Sequence, residues 1–384
     1  MIEFSRSAQS TLGVEWEVAL VDRRTGATRP AAEEVFEAIE AADPELADPE
    51  GQTPHIAREF LANTVEMVTG VATRVSEATD QLQHLTDRLR AYTDPLGIDL
   101  FSAGTHPLAE WRTEQVSAKE RYQKVLDRTQ YWGHQMLMYG IHVHVGLDAR
   151  DKALPVVNQL VNYYPHLLAL SANSPYWGGH DTGYASQRAM IFQQIPTAGL
   201  PFGFEQWHEF EDYTRDLLQT GVIDEASENR WDIRPVAKYG TVEMRVCDGV
   251  STLEEIGALT ALTQCLVEET SRRVEAGERI PLMPRWHAEE NKWRAARYGI
   301  EAIIIQDARN NERLVTDDTI DLLNRLEPIA GQLGCSEELA GVERIIRRGP
   351  GYLRQRRIAK EAGGDLRAVV RDIAELTRNG FPEE

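Results

Sequence analysis

Three short runs of this chain alternate strictly between apolar and other residues, and they restrict the fold more than anything else in it. In "GVEWEVALVD", residues 13 to 22, Val14, Trp16, Val18 and Leu20 alternate with Glu15, Glu17 and Ala19. "GIHVHVGL", residues 140 to 147, sets His142 and His144 between Ile141, Val143 and Val145. "GTVEMRVCD", residues 240 to 248, sets Glu243 and Arg245 between Val242, Met244 and Val246. A period of two is that of a β-strand, whose successive side chains point to opposite faces. Each run therefore predicts a strand that buries one face and presents ionisable groups two residues apart on the other.

One strand of this kind is most often the ordinary solvated face of a sheet. Three with the same arrangement call for another cause. Histidines and closely spaced glutamates are unusual choices for a solvated face, and like charges on neighbouring strands repel. A bound cation removes the repulsion. Carboxylates with imidazole, and no thiolates, suit Mg²⁺ or Mn²⁺ better than zinc, although imidazole leaves zinc open. Glu59 and Glu66 are further candidate ligands, and their seven-residue separation fits one helix face or a bent strand.

Arg245 beside Glu243 is the exception on that face. A cation is tolerated there when a polyanion such as a nucleotide triphosphate lies between it and the metals. The chain has neither GxxxxGK[ST] nor GxGxxG, so phosphates would be held by metals and arginines, not by a Gly-rich loop. Arg188 and Arg234 are further candidates, with surface ion pairs as the alternative.

Between these strands the pattern is mainly helical. Residues 30–41, 74–92, 114–138 and 152–171 read as helices, "IDLFSAGTHP" as a strand entering a loop, and "SANSPYWGGHDTGYASQR" as a long functional loop. After Ser251 the chain is mostly helical. There is no internal repeat and no Pro/Ser-rich linker, which predicts one α+β domain over residues 1–384 whose C-terminal third packs helices on a sheet. Cys247, Cys265 and Cys335 are odd in number, far apart and without CxxC spacing, so neither a disulfide framework nor a thiolate zinc site is expected.

The formal net charge of -20, from 41 basic and 61 acidic residues, argues against nucleic acid or an anionic membrane surface as a partner. The start "MIEFSRSAQSTLG" lacks a basic cluster followed by an apolar core, and no stretch approaches the roughly 18 apolar residues of a membrane span. A cytoplasmic protein is expected. Apolar helix faces would suit a homodimer, but the pattern does not separate them from the core.

The segments "TLGVEWEVALVD", "GTHP", "GIHVHVG", "LSANSPYWGGHDTGYASQR", "DIRP", "GTVEMRVCD" and "NKWRAARYG" run in order from residue 11 to 299. As a set they resemble the second family of glutamate-cysteine ligases, carboxylate-amine ligases related in fold to glutamine synthetase. The resemblance implies a curved antiparallel sheet forming a funnel, with Mg²⁺ clamped between ATP and sheet carboxylates. By the resemblance, Glu15, Glu17, Glu59, Glu66, His142 and Glu243 fall at metal-ligand positions, while His144 and Arg245 face the phosphates. Arg188 resembles a residue that orients the substrate carboxylate or the transferring phosphoryl group, and Arg234 is similar in kind. Trp293 and Tyr298 of "NKWRAARYG" read as residues that pack a helix.

The implied reaction is phosphorylation of a small-molecule carboxylate by ATP, then displacement of phosphate by an amine. L-Glutamate and L-cysteine are the substrates the resemblance favours, giving γ-glutamylcysteine. The alternatives are a ligase for another carboxylate–amine pair, an Mg²⁺-dependent phosphohydrolase in which the same glutamates activate water, and a metal- or nucleotide-binding protein without turnover.

Overall fold

In the computed structural model the described residues are 2–47, 53–117 and 120–382. The strands are β1 (Leu12–Asp22), β2 (His55–Arg58), β3 (Thr64–Val68), β4 (Ile98–Phe101), β5 (Ile141–Gly146), β6 (Tyr176–Trp177), β7 (His180–Asp181), β8 (Ile233–Val236), β9 (Thr241–Met244), β10 (Ile303–Ile305) and β11 (Glu312–Leu314). The helices are α1 (Ala32–Ala42), α2 (Val75–Thr93), α3 (Glu120–Thr129), α4 (Tyr131–His134), α5 (Ala153–Asn162), α6 (Tyr164–Ser171), α7 (Gln187–Phe192), α8 (Trp207–Gln219), α9 (Leu253–Glu275), α10 (Arg285–Tyr298), α11 (Val315–Leu333), α12 (Ser336–Arg348), α13 (Gly351–Glu361) and α14 (Leu366–Asn379).

The main sheet runs β2-β3-β1-β5-β9-β8, with β4 paired to the end of β1. Every pairing in it is antiparallel, and the sheet is open, with β2 and β8 as its edges. The three alternating runs are β1, β5 and β9, side by side at its centre. Their apolar positions, Val14, Trp16, Val18, Ile141, Val143, Val145, Val242 and Met244, are all buried in one core with Val65 and Met67 of β3. Each such side chain stabilises the fold by roughly 1.5–3 kcal/mol relative to exposure. Helices α2, α5 and α9 cover this face.

Helix α9 begins where it does because Thr252 and Glu255 cap it reciprocally. The Thr252 hydroxyl accepts from the Glu255 amide at 3.2 Å, and the Glu255 carboxylate accepts from the Ser251 and Thr252 amides at 3.1 Å. Helices α11 and α12 pack outside α9, α10 outside α6, and α14 against β4. All three cysteines are buried free thiols, with the Cys265 and Cys335 sulfurs 3.7 Å apart between α9 and the start of α12.

Several expectations change in detail. The helix expected over 114–138 is two shorter ones, α3 and α4, broken at Gln130, whose φ is +47°; residues 118 and 119 lie outside the described set. The helix expected over 152–171 divides at Tyr163, because Pro165 starts a new helix in its first turn. The long loop holds the small hairpin β6–β7 and ends in α7, which contains Arg188. Glu59 and Glu66 share neither a helix face nor one bent strand. Glu59 follows β2, Glu66 lies in β3, and the two strands form an antiparallel pair in which Ala57 faces Glu66.

Candidate active site

Strand register gathers the ionisable groups onto the face opposite the core. Glu17 faces Glu66, Glu15 faces His142, His144 faces Glu243, and Glu243 faces Arg234. Each pair spans neighbouring strands, and residues two apart along a strand share a face. The result is a continuous polar band from β3 across β1, β5 and β9 to β8. Ligand atoms of Glu15, His142 and Glu243 lie within 4.8 Å of one another, as do those of Glu17, Glu66 and His142. His142 belongs to both groups.

The two histidines of β5 differ in kind. Burial, then the field of Arg245, pushes the His142 pKa down to about 4 against the pull of Glu15, so the ring is neutral near pH 7. Its Nδ1 lies 2.9 Å from Glu15 Oε2, and a carboxylate only accepts, so Nδ1 carries the proton. The Nε2 lone pair is left, buried and without a partner among the described residues. An imidazole fixed by a carboxylate at one nitrogen and open at the other is the form that binds a metal. His144 goes the other way: burial lowers its pKa, but Glu243 and Glu15 outweigh burial and raise it. Its Nε2 is 3.3 Å from Glu15 and its Nδ1 is 3.1 Å from the Thr241 hydroxyl.

The carboxylates divide similarly. Burial followed by the charge of Glu59 pushes Glu17 up to about 8, although the Gly140 amide donates to it at 2.5 Å. Glu66 is raised well above the usual range by burial and by Glu15, Glu59 and Glu17. Glu59 thus stands close enough to act on both, but it belongs to neither three-residue group. Burial opposes ionisation of Glu15, but hydrogen bonds from His142 and His144 hold its pKa well below the usual value. Glu243 is also held low despite burial, by Arg234 and Arg245. Glu17 and Glu66 are the groups whose repulsion a cation would relieve, and together with the open Nε2 of His142 they fit an oxygen-preferring divalent ion.

The arginines converge at the β9 end of the band. Arg234 Nε donates to Glu243 at 2.7 Å, and its Nη1 donates to the Ser227 and Asn229 carbonyls at 2.8 and 2.5 Å. Arg245 bonds the other oxygen of Glu243 directly. Arg188 is 5 % exposed, and its guanidinium lies 3.4 Å from the main-chain carbonyls of Arg245 and Val246. It passes against Gly140, where any Cβ would collide with it.

Asp248 has no counterpart in the sequence reading. Fully buried, it accepts from the Asn173 amide at 2.8 Å and the Ser174 hydroxyl at 2.7 Å, and from the Ser186 hydroxyl at 2.9 Å. It thereby closes both ends of the loop that delivers Arg188. An acid directly after the buried run ending in Cys247 was the available signal. His106 of "GTHP" is a loop clamp: burial lowers its pKa to about 4, and its ring bonds the Gly26 carbonyl at 2.9 Å and the Ala109 amide at 3.0 Å. Trp293 and Tyr298 are 39 % and 43 % exposed and meet edge to face, so they stand at the surface of α10 and not under it.

The sequence profile described as glutamate-cysteine ligase family 2 matches residues 11–372. A protein of Arthrobacter sp. (strain FB24) named "Putative glutamate--cysteine ligase 2-1" is 59 % identical over 379 residues, 99 % of either chain. The chain belongs to glutamate-cysteine ligase family 2. It is accordingly a carbon–nitrogen ligase. Solved structures carry the same fold at low identity. A glutamate–cysteine ligase of Francisella tularensis in complex with AMP aligns at TM-score 0.66 and 15 % identity, covering 98 % of this chain and 90 % of that one. A bifunctional glutathione synthetase of Pasteurella multocida aligns at TM-score 0.68 and 15 % identity, covering 96 % of this chain and 52 % of that one. Among the described residues no helix is long and apolar enough to cross a membrane.

Proposed function

We propose that this family 2 protein is an ATP-dependent ligase, a single catalytic domain acting in the cytoplasm, that joins L-glutamate to the amine of L-cysteine through an acyl phosphate. The observation that carries the reading is the neutral His142 with its open Nε2 between two carboxylate groups, next to three converging arginines. The relatives' names support the substrate pair.

A carboxylate oxygen of glutamate attacks the γ-phosphorus of ATP, the bond to the β-bridging oxygen breaks, and ADP leaves. The cysteine nitrogen then attacks the acyl carbon, loses a proton, and phosphate departs with one oxygen of the original carboxylate. Glu15, Glu17, Glu66, His142 and Glu243, with Glu59 beside them, would hold Mg²⁺ or Mn²⁺, which when bound neutralises charge on the phosphates and the attacking carboxylate. Arg245 stabilises the charge on the moving phosphoryl group, for which it exchanges its bond to Glu243 for a phosphate oxygen. Arg188 orients the substrate carboxylate or the same phosphoryl group. His144, drawn toward the cationic form, and Arg234 add positive charge on the phosphate side. No covalent enzyme intermediate is needed.

The test uses glutamate labelled with heavy oxygen in its carboxylates, with ATP, Mg²⁺ and a panel of amines that includes cysteine. Label in released phosphate together with the mass of γ-glutamylcysteine is the expected result. Label transfer with a different pair keeps the mechanism and changes the substrates. Amine-independent release of unlabelled phosphate replaces the ligase reading with a phosphohydrolase.

A further inference from the structure

We infer that Lys292, in the "NKWRAARYG" stretch of α10, is a positioning residue for the arginines of the site; this rests on the ligase reading above. Lys292 is 4 % exposed, and its ammonium lies 2.7 Å from the carboxylate of Asp232, which is 3 % exposed. The ring of Tyr164 lies beside the pair, its centroid 5.4 Å from the ammonium. Lysine is seldom buried, and an apolar pair of the same volume is often as stable as a buried ion pair or more so. Stability alone therefore gives little reason for this pair.

What hangs on Asp232 supplies one. Its amide donates to the Gly199 carbonyl at 2.8 Å, and its carbonyl accepts from the amide of Arg245 at 2.8 Å. Asp232 directly precedes β8, and Arg234 lies two residues on. The carbonyl of Arg245 in turn carries the guanidinium of Arg188. Fixing the Asp232 carboxylate from behind thus fixes the backbone from which Arg234 and Arg245 project, and the seat of Arg188. The rest of α10 acts in the same sense. The Ala296 carbonyl accepts from the amides of Ala185 and Ser186 at 2.8 and 2.9 Å, and Arg297 bonds the Gly183 carbonyl, just ahead of Arg188. A misplacement of about 1 Å at a reacting centre can cost about 10²-fold in rate, so a rigid support behind the arginines has a catalytic consequence.

Lys292→Met alone strands the Asp232 carboxylate and is expected to destabilise the protein. The informative variant is Lys292→Met with Asp232→Asn, which removes both charges. It is expected to regain most of the melting temperature yet keep kcat at least tenfold down and the KM for ATP raised, with the KM for the amine unchanged. Recovery of kcat and ATP KM to within twofold of wild type would overturn the inference, since activity would then simply follow stability. Should the double variant not fold, Asp232→Asn alone decides, because it removes one charge of the pair with little change of shape and leaves an acceptor for the Lys292 ammonium. A threefold or greater rise in ATP KM in the folded variant is expected, and an unchanged value overturns the inference. Failure of the ligase reading is separate: the wild-type protein itself would put no label into phosphate.

Discussion

On β1, Trp16 is 1 % exposed and lies among Val14, Val18 and the helices behind the sheet, while Glu15 and Glu17 on either side of it face histidines, carboxylates and arginines. On β5, Ile141 and Val143 enclose His142 in the same way. The two faces are built from alternate residues of the same strands, and their energetics run in opposite directions. The core face is favourable by itself. On the other face burial and mutual repulsion oppose ionisation of Glu17 and Glu66 and raise both pKa values. The contrast teaches that one face holds the molecule together while the other is completed by what it binds, and substitutions on the two should be separable.

The largest effect is expected on the polar face. His142→Ala or Glu15→Gln should lower turnover at least a thousandfold, about 4 kcal/mol in barrier, with little change in melting temperature; normal turnover in both variants would sink the metal assignment. Arg245→Lys should cost about a hundredfold, since a point charge does not reproduce a planar bidentate contact, and steady-state kinetics would read it. Ile141→Ala, one residue from His142 but on the core face, should do the reverse. A loss of about 2 kcal/mol in denaturant unfolding, with kcat retained within a few fold, is the outcome that keeps the faces distinct.

The smallest effect is a pH slope in metal-free protein. The folded pKa of Glu17, about 8, and that of Glu66 lie above their unfolded values, so the folded state keeps protons that the unfolded state has released. Stability should therefore fall as pH rises through the window from about 6.5 to 8, where His144, also raised, contributes with the same sign. Below it, His142, neutral when folded, pulls the other way. A decline of about 1.5 kcal/mol from Glu17 alone is expected across the window, and saturating Mg²⁺ should flatten it. An identical slope with and without Mg²⁺ would place these protons elsewhere.

The central strands were legible because β1, β5 and β9 alternate cleanly and each has ionisable residues on its outer face. The edge strands were not. Strand β8 contains Pro235, which argues against a central strand but is tolerated at an edge, where its missing amide faces away from β9. Strands β2 and β3 are four and five residues long and joined by a short reversal, too little for periodicity to register. The metal-ligand candidates could be named from their spacing and from the family resemblance, but which His is neutral depends on burial and on Arg245, neither of which is local. Lys292 and Asp232, sixty residues apart, carry no local signal of their pairing.

One guanidinium in the site is met directly by main chain. Arg188 rests on the carbonyl groups of Arg245 and Val246, and every residue type has a carbonyl. Substitutions at 246 that keep the local backbone and an apolar side chain in the core can accumulate without moving it. The exception is Gly140, where even a methyl group would take the guanidinium's space. Sequence drift around this arginine should thus be limited at 246 only by the core, to apolar residues, and closed at 140 by the guanidinium itself.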